Sequence, residues 1–443
     1  MLQYVALQKV AEENGWEMSA MRILPFVPVP LLIAAIAMGV WPHGTRAQST
    51  SSSAAGCNQP ARDPVTWVDL PGKLPFQALP STDGCWIFVS LAVGDSEASD
   101  SEPAAQIAAL RRQGGQIAQT RLVQVGGNPT GMVLTHDGKL LIVADGKRVA
   151  FLDTVRLTSG HPTPVLGYWN DNTREPGRIY VNVSAGDKHL FISDEGAGTI
   201  TVLDLARARA SGFAADAKIG SIPVGRGPVA LTFSPDQRYL YSTTLTMQDG
   251  SDWQKECLRE YLNDSSAPRV TQGGLFVIDV NLATSRPEKA VVAVAKAGCT
   301  PVRLALSPRG DTAYVTVRGG NAVLAFDTAK LVSGANGAQI GSVPTGPNPI
   351  GVAVLDEGRK LIVTNSNRFG ATAAEPQSLL VLDATKIAAG KAAILGTVPA
   401  ASLPREMRVT ADGRTLLVVN TVSRKLQVID LARLPLQPVP AHP

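Results

Sequence analysis

Few of the usual chemical tools are present in this chain of 443 residues. It holds four cysteines and five histidines, aromatic residues make up 5%, and charged residues 18%. There is no serine nucleophile elbow, no phosphate-cradling loop and no Cys-x-x-Cys pair, so common hydrolase, nucleotide and dithiol chemistries lack their residues. Net charge is only +4, and no basic stripe is interleaved with aromatics. Nucleic-acid binding is therefore unsupported. The low aromatic content and a mean hydropathy near zero fit a strand-rich soluble body.

Long apolar runs are also scarce. The run from Ile23 to Trp41 follows Arg22 and precedes Thr45, Arg46 and Ala47. A basic flank, an apolar core and small residues near a cleavage point read as a secretory signal, cut after Ala47. Pro25, Pro28 and Pro30 disfavour the alternative, an uncleaved membrane anchor. The expected organisation is an N-terminal extension and signal peptide over 1–47, with translation starting at Met18 or Met21. A Ser-, Ala- and Pro-rich flexible linker over 48–64 follows, then one domain over 65–434 and a Pro-rich tail over 435–443. The expected location is periplasmic or secreted, with membrane contact only through an uncleaved signal.

What the chain has in abundance is repetition. From Gly341 to Asp383 a short strand ends at Gly346, Pro347 to Pro349 form a rigid connection, and the runs IGVAV and LIVTN flank a polar turn. A third strand, LLVLD, closes on Asp383, whose carboxylate suits an Asx-turn. The turn position recurs at Gly84, Gly138, Asp187, Gln237, Gly310, Gly358 and Gly413, at spacings of 54, 49, 50, 73, 48 and 55. The third strand ends in Asp in every copy but the first, which has Arg111 near that place. Four short strands recurring about every 50 residues describe propeller blades. The fold class is all-β, a seven-bladed β-propeller with four-stranded antiparallel blades.

The seventh copy lacks an outer strand, and an orphan strand of that type starts at Val65. It should complete the last blade and remove an exposed sheet edge. An even cysteine count in an exported chain permits disulfides. Cys257 lies in the long insertion Thr246–Gly273, and Cys299 where the same blade hands over to the next; these loops share a face, so this pair is the expected bridge. Cys57–Cys85 is the weaker pairing, because Cys85 begins a strand at the opposite end.

The strings LIVTN (Leu361 to Asn365), AYVTV (Ala313 to Val317) and LLVVN (Leu416 to Asn420) resemble the signature of the YVTN-type β-propeller repeats. So do the VG-x-x-P-x-G openings near Val125 and Val224. The resemblance spans Val65 to Leu434. It implies kinship with surface-layer and other exported propellers, lactonase-like propellers, or the haem-binding propeller of cytochrome-type nitrite reductases. Fold alone does not choose among these.

Aligning the copies places one residue per blade at a mouth of the central channel: Gln77, Gly131, Tyr180, Ala230, Arg303, Gly351 and Glu406. Small residues should leave the mouth open. Arg303 and Glu406 depart from the pattern, and Arg405 adjoins them. One reading is a structural ion pair plugging the channel. The other is a polar pocket in which arginines hold a carboxylate, phosphate or lactone carbonyl and Glu406 acts as a base. Asp145, Asp194, Glu195, Arg226, Arg318, Asn365, Arg368, Asn420 and Arg424 come from loops on the same face. The insertion carries WQKECLREYL from Trp253, with the spacing of a short helical lid. The acidic loop with Asp95, Glu97, Asp100 and Glu102 lacks the EF-hand order of ligands and reads as solvated.

No histidine is expected at this mouth, since His136 and His189 fall in turns at the opposite face and His161 follows a third strand there. A haem or zinc site on imidazole is thus disfavoured and no cofactor is expected. The expectation is a monomeric, non-catalytic binding scaffold acting on a protein, glycan or small molecule through its loop-rich face. The alternative is a lactonase-like hydrolase. A closed Arg303–Glu406 pair would favour the first, an open pocket the second.

Overall fold

The computed structural model describes Cys57, Gln59, Cys257 and residues 61–92, 105–173, 177–247, 271–370 and 376–439. The leader over 1–47, the acidic loop and, apart from Cys257, the segment expected to form a helical lid lie outside the described residues.

Seven antiparallel sheets follow one another along the chain. Blade one is Leu74–Pro80, Trp86–Ala92, Gln106–Gln113 and Gln116–Gln124. Blades two, three, five and six repeat this order from Pro129, Arg178, Pro301 and Pro349. In blade four the innermost strand is broken into Arg226–Pro228 and Thr232–Phe233. Blade seven takes three strands from the C-terminal end, Pro404–Val409, Thr415–Asn420 and Lys425–Asp430. Its fourth is Val65–Asp69, paired in register from Val65 opposite Ile429 to Asp69 opposite Lys425. The chain is a seven-bladed β-propeller closed by its N-terminal strand.

β-Branched runs are needed because each second and third strand is covered on both sides. Leu140, Ile142, Phe151 and Trp169 of blade two pack against Val181, Val183, Leu190 and Ile192 of blade three, and similar clusters fill the other interfaces. The apolar core is therefore a ring of inter-blade layers. Small residues on the innermost strands serve that packing. A β-carbon added at Gly131 would lie 2.6 Å from the Ile179 carbonyl, and one at Gly351 2.5 Å from the Arg405 carbonyl. These glycines admit the next blade.

Both cysteine pairs form. Cys257–Cys299 is bridged as expected. Cys57–Cys85 is bridged too, which corrects the weaker standing given to it. Val65 pairs beside the end of the third strand of blade seven, so the closing strand starts at the turn face. The segment before it therefore arrives where Cys85 lies. Arg433 donates to the Ala61 and Arg62 carbonyls at 2.6 and 2.9 Å. Cys57, Ala61 and Arg62, within the expected flexible linker, are thus each tied to the propeller.

Candidate functional site at the channel mouth

The innermost strands are pinned by a repeating hydroxyl. Ser90, Ser193, Thr316 and Thr364, each on a second strand, accept from the backbone N–H of Gln77, Tyr180, Arg303 and Gly351 at 3.1, 3.1, 3.1 and 2.7 Å. Several of these hydroxyls also donate to the following blade: Ser90 to the Thr130 carbonyl and Thr316 to the Ile350 carbonyl, both at 2.6 Å. A ladder irregularity falls beside each of these positions, between Pro75 and Gln77, Arg178 and Tyr180, Pro301 and Arg303, and Pro349 and Val352. The extra residue re-aims the side chain relative to the pleat, and the hydroxyl holds the bulge. These serines and threonines were not singled out in the sequence, although the T of the LIVTN string marks them.

Tyr180, Arg303 and Glu406, from blades three, five and seven, meet at the axis. Glu406 Oε1 accepts from Arg303 Nε at 2.6 Å and from the Tyr180 hydroxyl at 2.6 Å. Arg303 Nη2 donates to the Tyr180 oxygen, and Nη1 donates to the Val229 and Val302 carbonyls at 2.9 Å. All three side chains are buried. Burial alone would raise the Glu406 carboxyl, but Arg303, the Tyr180 hydrogen bond and Arg405 outweigh it and hold the group below its ordinary range. Burial pushes the Tyr180 phenol well up, so it stays a donor. The pair is closed, ionised and satisfied.

Arg303 borders two cavities: a cup of about 370 Å³ lined by all seven blades, and a smaller one of about 70 Å³ that Tyr180 and Glu406 also line. The cup is polarised. Blades five to seven bring Arg303, Arg318, Arg368 and Arg405 to its wall, while blades one to four bring mainly apolar side chains and one carboxylate, Glu195. Arg405 lies 3.9 Å from the Phe76 ring centroid. Arg318 and Arg368 flank Phe369 at 5.3 and 5.4 Å. Burial, then the neighbouring guanidiniums, pushes Arg318 down to about 9. Burial chiefly lowers Arg405 to about 10. Glu195 is raised by burial, with the four arginines opposing.

The other candidates have structural employment. Gln77 Oε1 accepts from the Met132 backbone. Asp194 and Asn365 accept from the Gly177 and Gly346 N–H groups at 2.8 and 3.0 Å, and Asn420 accepts from Ala401 at 3.1 Å. These tie the incoming loop to the blade, which is the work of the N in the repeat signature. Asp145 pairs with Arg148 at 2.9 Å. Arg226 and Arg424 are not brought to the cup wall. His136 sits at the far-face turns, where it meets Asp187 at 2.6 Å.

The fold and this axial cup define a seven-bladed propeller with an arginine-lined cavity at its axis. A solved structure of Kuenenia stuttgartiensis hydrazine synthase shares the fold with a TM-score of 0.58 and 18% identity, over 82% of this chain and 97% of that one. No known family profile matches the sequence, and no curated protein matches it either. The likeness carries architecture only.

Proposed function

We propose that this chain is an exported YVTN-type propeller that binds a small polar molecule in the mouth cup and releases it unchanged. The observation that carries this reading is the closed Tyr180–Arg303–Glu406 triad. Glu406, the base that a lactonase-like mechanism would use, is ionised but already accepts two hydrogen bonds on Oε1, and its carboxylate is neutralised by a buried guanidinium. A general base must reach a substrate proton, and this one faces its own triad. Two disulfides fit an oxidising compartment and thus export.

The reading is tested by screening small polar compounds with the mature protein for thermal stabilisation, beside Val422→Trp. Val422 lines the cup and is 42% exposed, so a larger side chain obstructs the cup without entering the core. Compounds that stabilise the wild type and not the variant, together with no hydrolysis of γ- and δ-lactones, are expected. Lactone turnover that Val422→Trp or Glu406→Gln abolishes would replace this reading with the hydrolase.

A further inference from the structure

The distribution of charge around the cup specifies more than polarity. Arg303 is committed to Glu406. Among the described residues, Arg318, Arg368 and Arg405 have no carboxylate at ion-pair distance, although they face one cavity. Each guanidinium carbon lies within 5.4 Å of an aromatic ring centroid, and Arg405 Nε is buried without a hydrogen-bond partner among the described residues, which leaves N–H groups for a planar oxyanion. Three cations gathered in a half-enclosed site repel one another. Burial first, and then that repulsion, lowers Arg318 and Arg405, and both groups still carry charge at neutral pH. A bound dianion relieves the repulsion. The opposite wall carries Leu74, Ile179, Val229 and Leu245, with Asn128 and Thr130 beside them and no cationic side chain, and suits a largely apolar body. Glu195 adds one acceptor on that side and works against a ligand that is anionic at both ends.

Resting on the binding function above, we propose that the ligand is a small organic acid with two neighbouring acidic charges at one end and an apolar body at the other. Its acidic end lies against Arg318, Arg368 and Arg405, and its body against blades one to four. The shared chemistry is the dianionic oxygen cluster, which two carboxylates or one phosphate monoester can supply.

Calorimetric titration of the mature protein with isophthalate, phenyl phosphate and isophthalamide tests this. The three probes share a ring of one size and differ in charge. At least one dianion should bind roughly tenfold or more tighter than the neutral diamide, and its affinity should fall as salt is raised. Arg318→Gln and Arg368→Gln should each weaken it roughly tenfold at an unchanged melting temperature. The tighter of the two dianions assigns the acid. Isophthalamide binding as tightly as both dianions, or dianion binding that both variants retain, would overturn the charge inference. Failure of all three probes would overturn it as well. The cup-binding function would survive any of these results if neutral compounds in the Val422→Trp screen still bind.

Discussion

The two faces of the propeller are built from the same strands by opposite rules. On the turn face the repeat is obeyed. Ser81, Thr135, Ser234, Ser307 and Thr410 each hydrogen-bond a turn aspartate and also accept from the first N–H of the second strand. All seven turn residues noted in the sequence have positive φ, from 54° at Asp187 to 95° at Gly358. On the mouth face the repeat is broken, and Tyr180, Arg303 and Glu406 stand where the pattern has small residues. The regular face contributes many small, separable terms. The irregular one concentrates charge in a single buried cluster whose members depend on one another. Repetition maintains the scaffold, and departures from it build the site.

Removal of one triad member should have the largest effect on stability. Glu406→Ala leaves Arg303 buried without its partner and should cost about 3–5 kcal/mol in denaturant unfolding. A cost near that of a turn aspartate would mean that the two faces do not differ. Closure of the ring is next. Cys57→Ser opens a bridge spanning 28 residues and should cost about 3 kcal/mol. Non-reducing peptide mapping of the wild type should recover the Cys57–Cys85 and Cys257–Cys299 peptides and no crossed pair.

A pH series sharpens the contrast within the mouth face. Burial pushes Asp145 up to about 7 despite Arg148 at 2.9 Å. The folded protein therefore holds this proton more tightly than the unfolded chain. Its contribution is fully present below about pH 4 and is lost as pH rises through about 7. Relative to Asp145→Asn, the wild type should lose roughly 2 kcal/mol across that window, allowing for the partial exposure of Arg148. The turn face should behave in the opposite sense. The Lys139 N–H and the Thr135 hydroxyl hold Asp137 below its ordinary value, so its contribution is present above about pH 4 and is lost as pH falls. Asp137→Ala should have the smallest effect, about 1 kcal/mol.

Both faces were unequally legible. Turn positions, aspartate ends and the orphan strand at Val65 follow from local chemistry repeated seven times, and repetition averages away the ambiguity of any single copy. The aspartates do more than an Asx-turn: Asp153, Asp204, Asp279 and Asp327 cap short helices, accepting from the N–H three residues on at 2.8 to 3.0 Å. Arg303 and Glu406 were visible because they violate the pattern. Ser90 and Thr316 were missed because they obey it, and their role appears only when the next blade's carbonyl is in place.

By itself, then, the sequence determined the number of blades, their strand order and the closing strand, because these depend on periodicities of tens of residues. It did not determine whether Arg303 and Glu406 would close on each other, which arginines would share a wall, or that Cys57 would reach Cys85. Those outcomes depend on distances between groups up to 103 residues apart. Only the curvature of the closed ring brings such groups within hydrogen-bond range, and only there does burial decide which charges are paired and which are left to face a ligand.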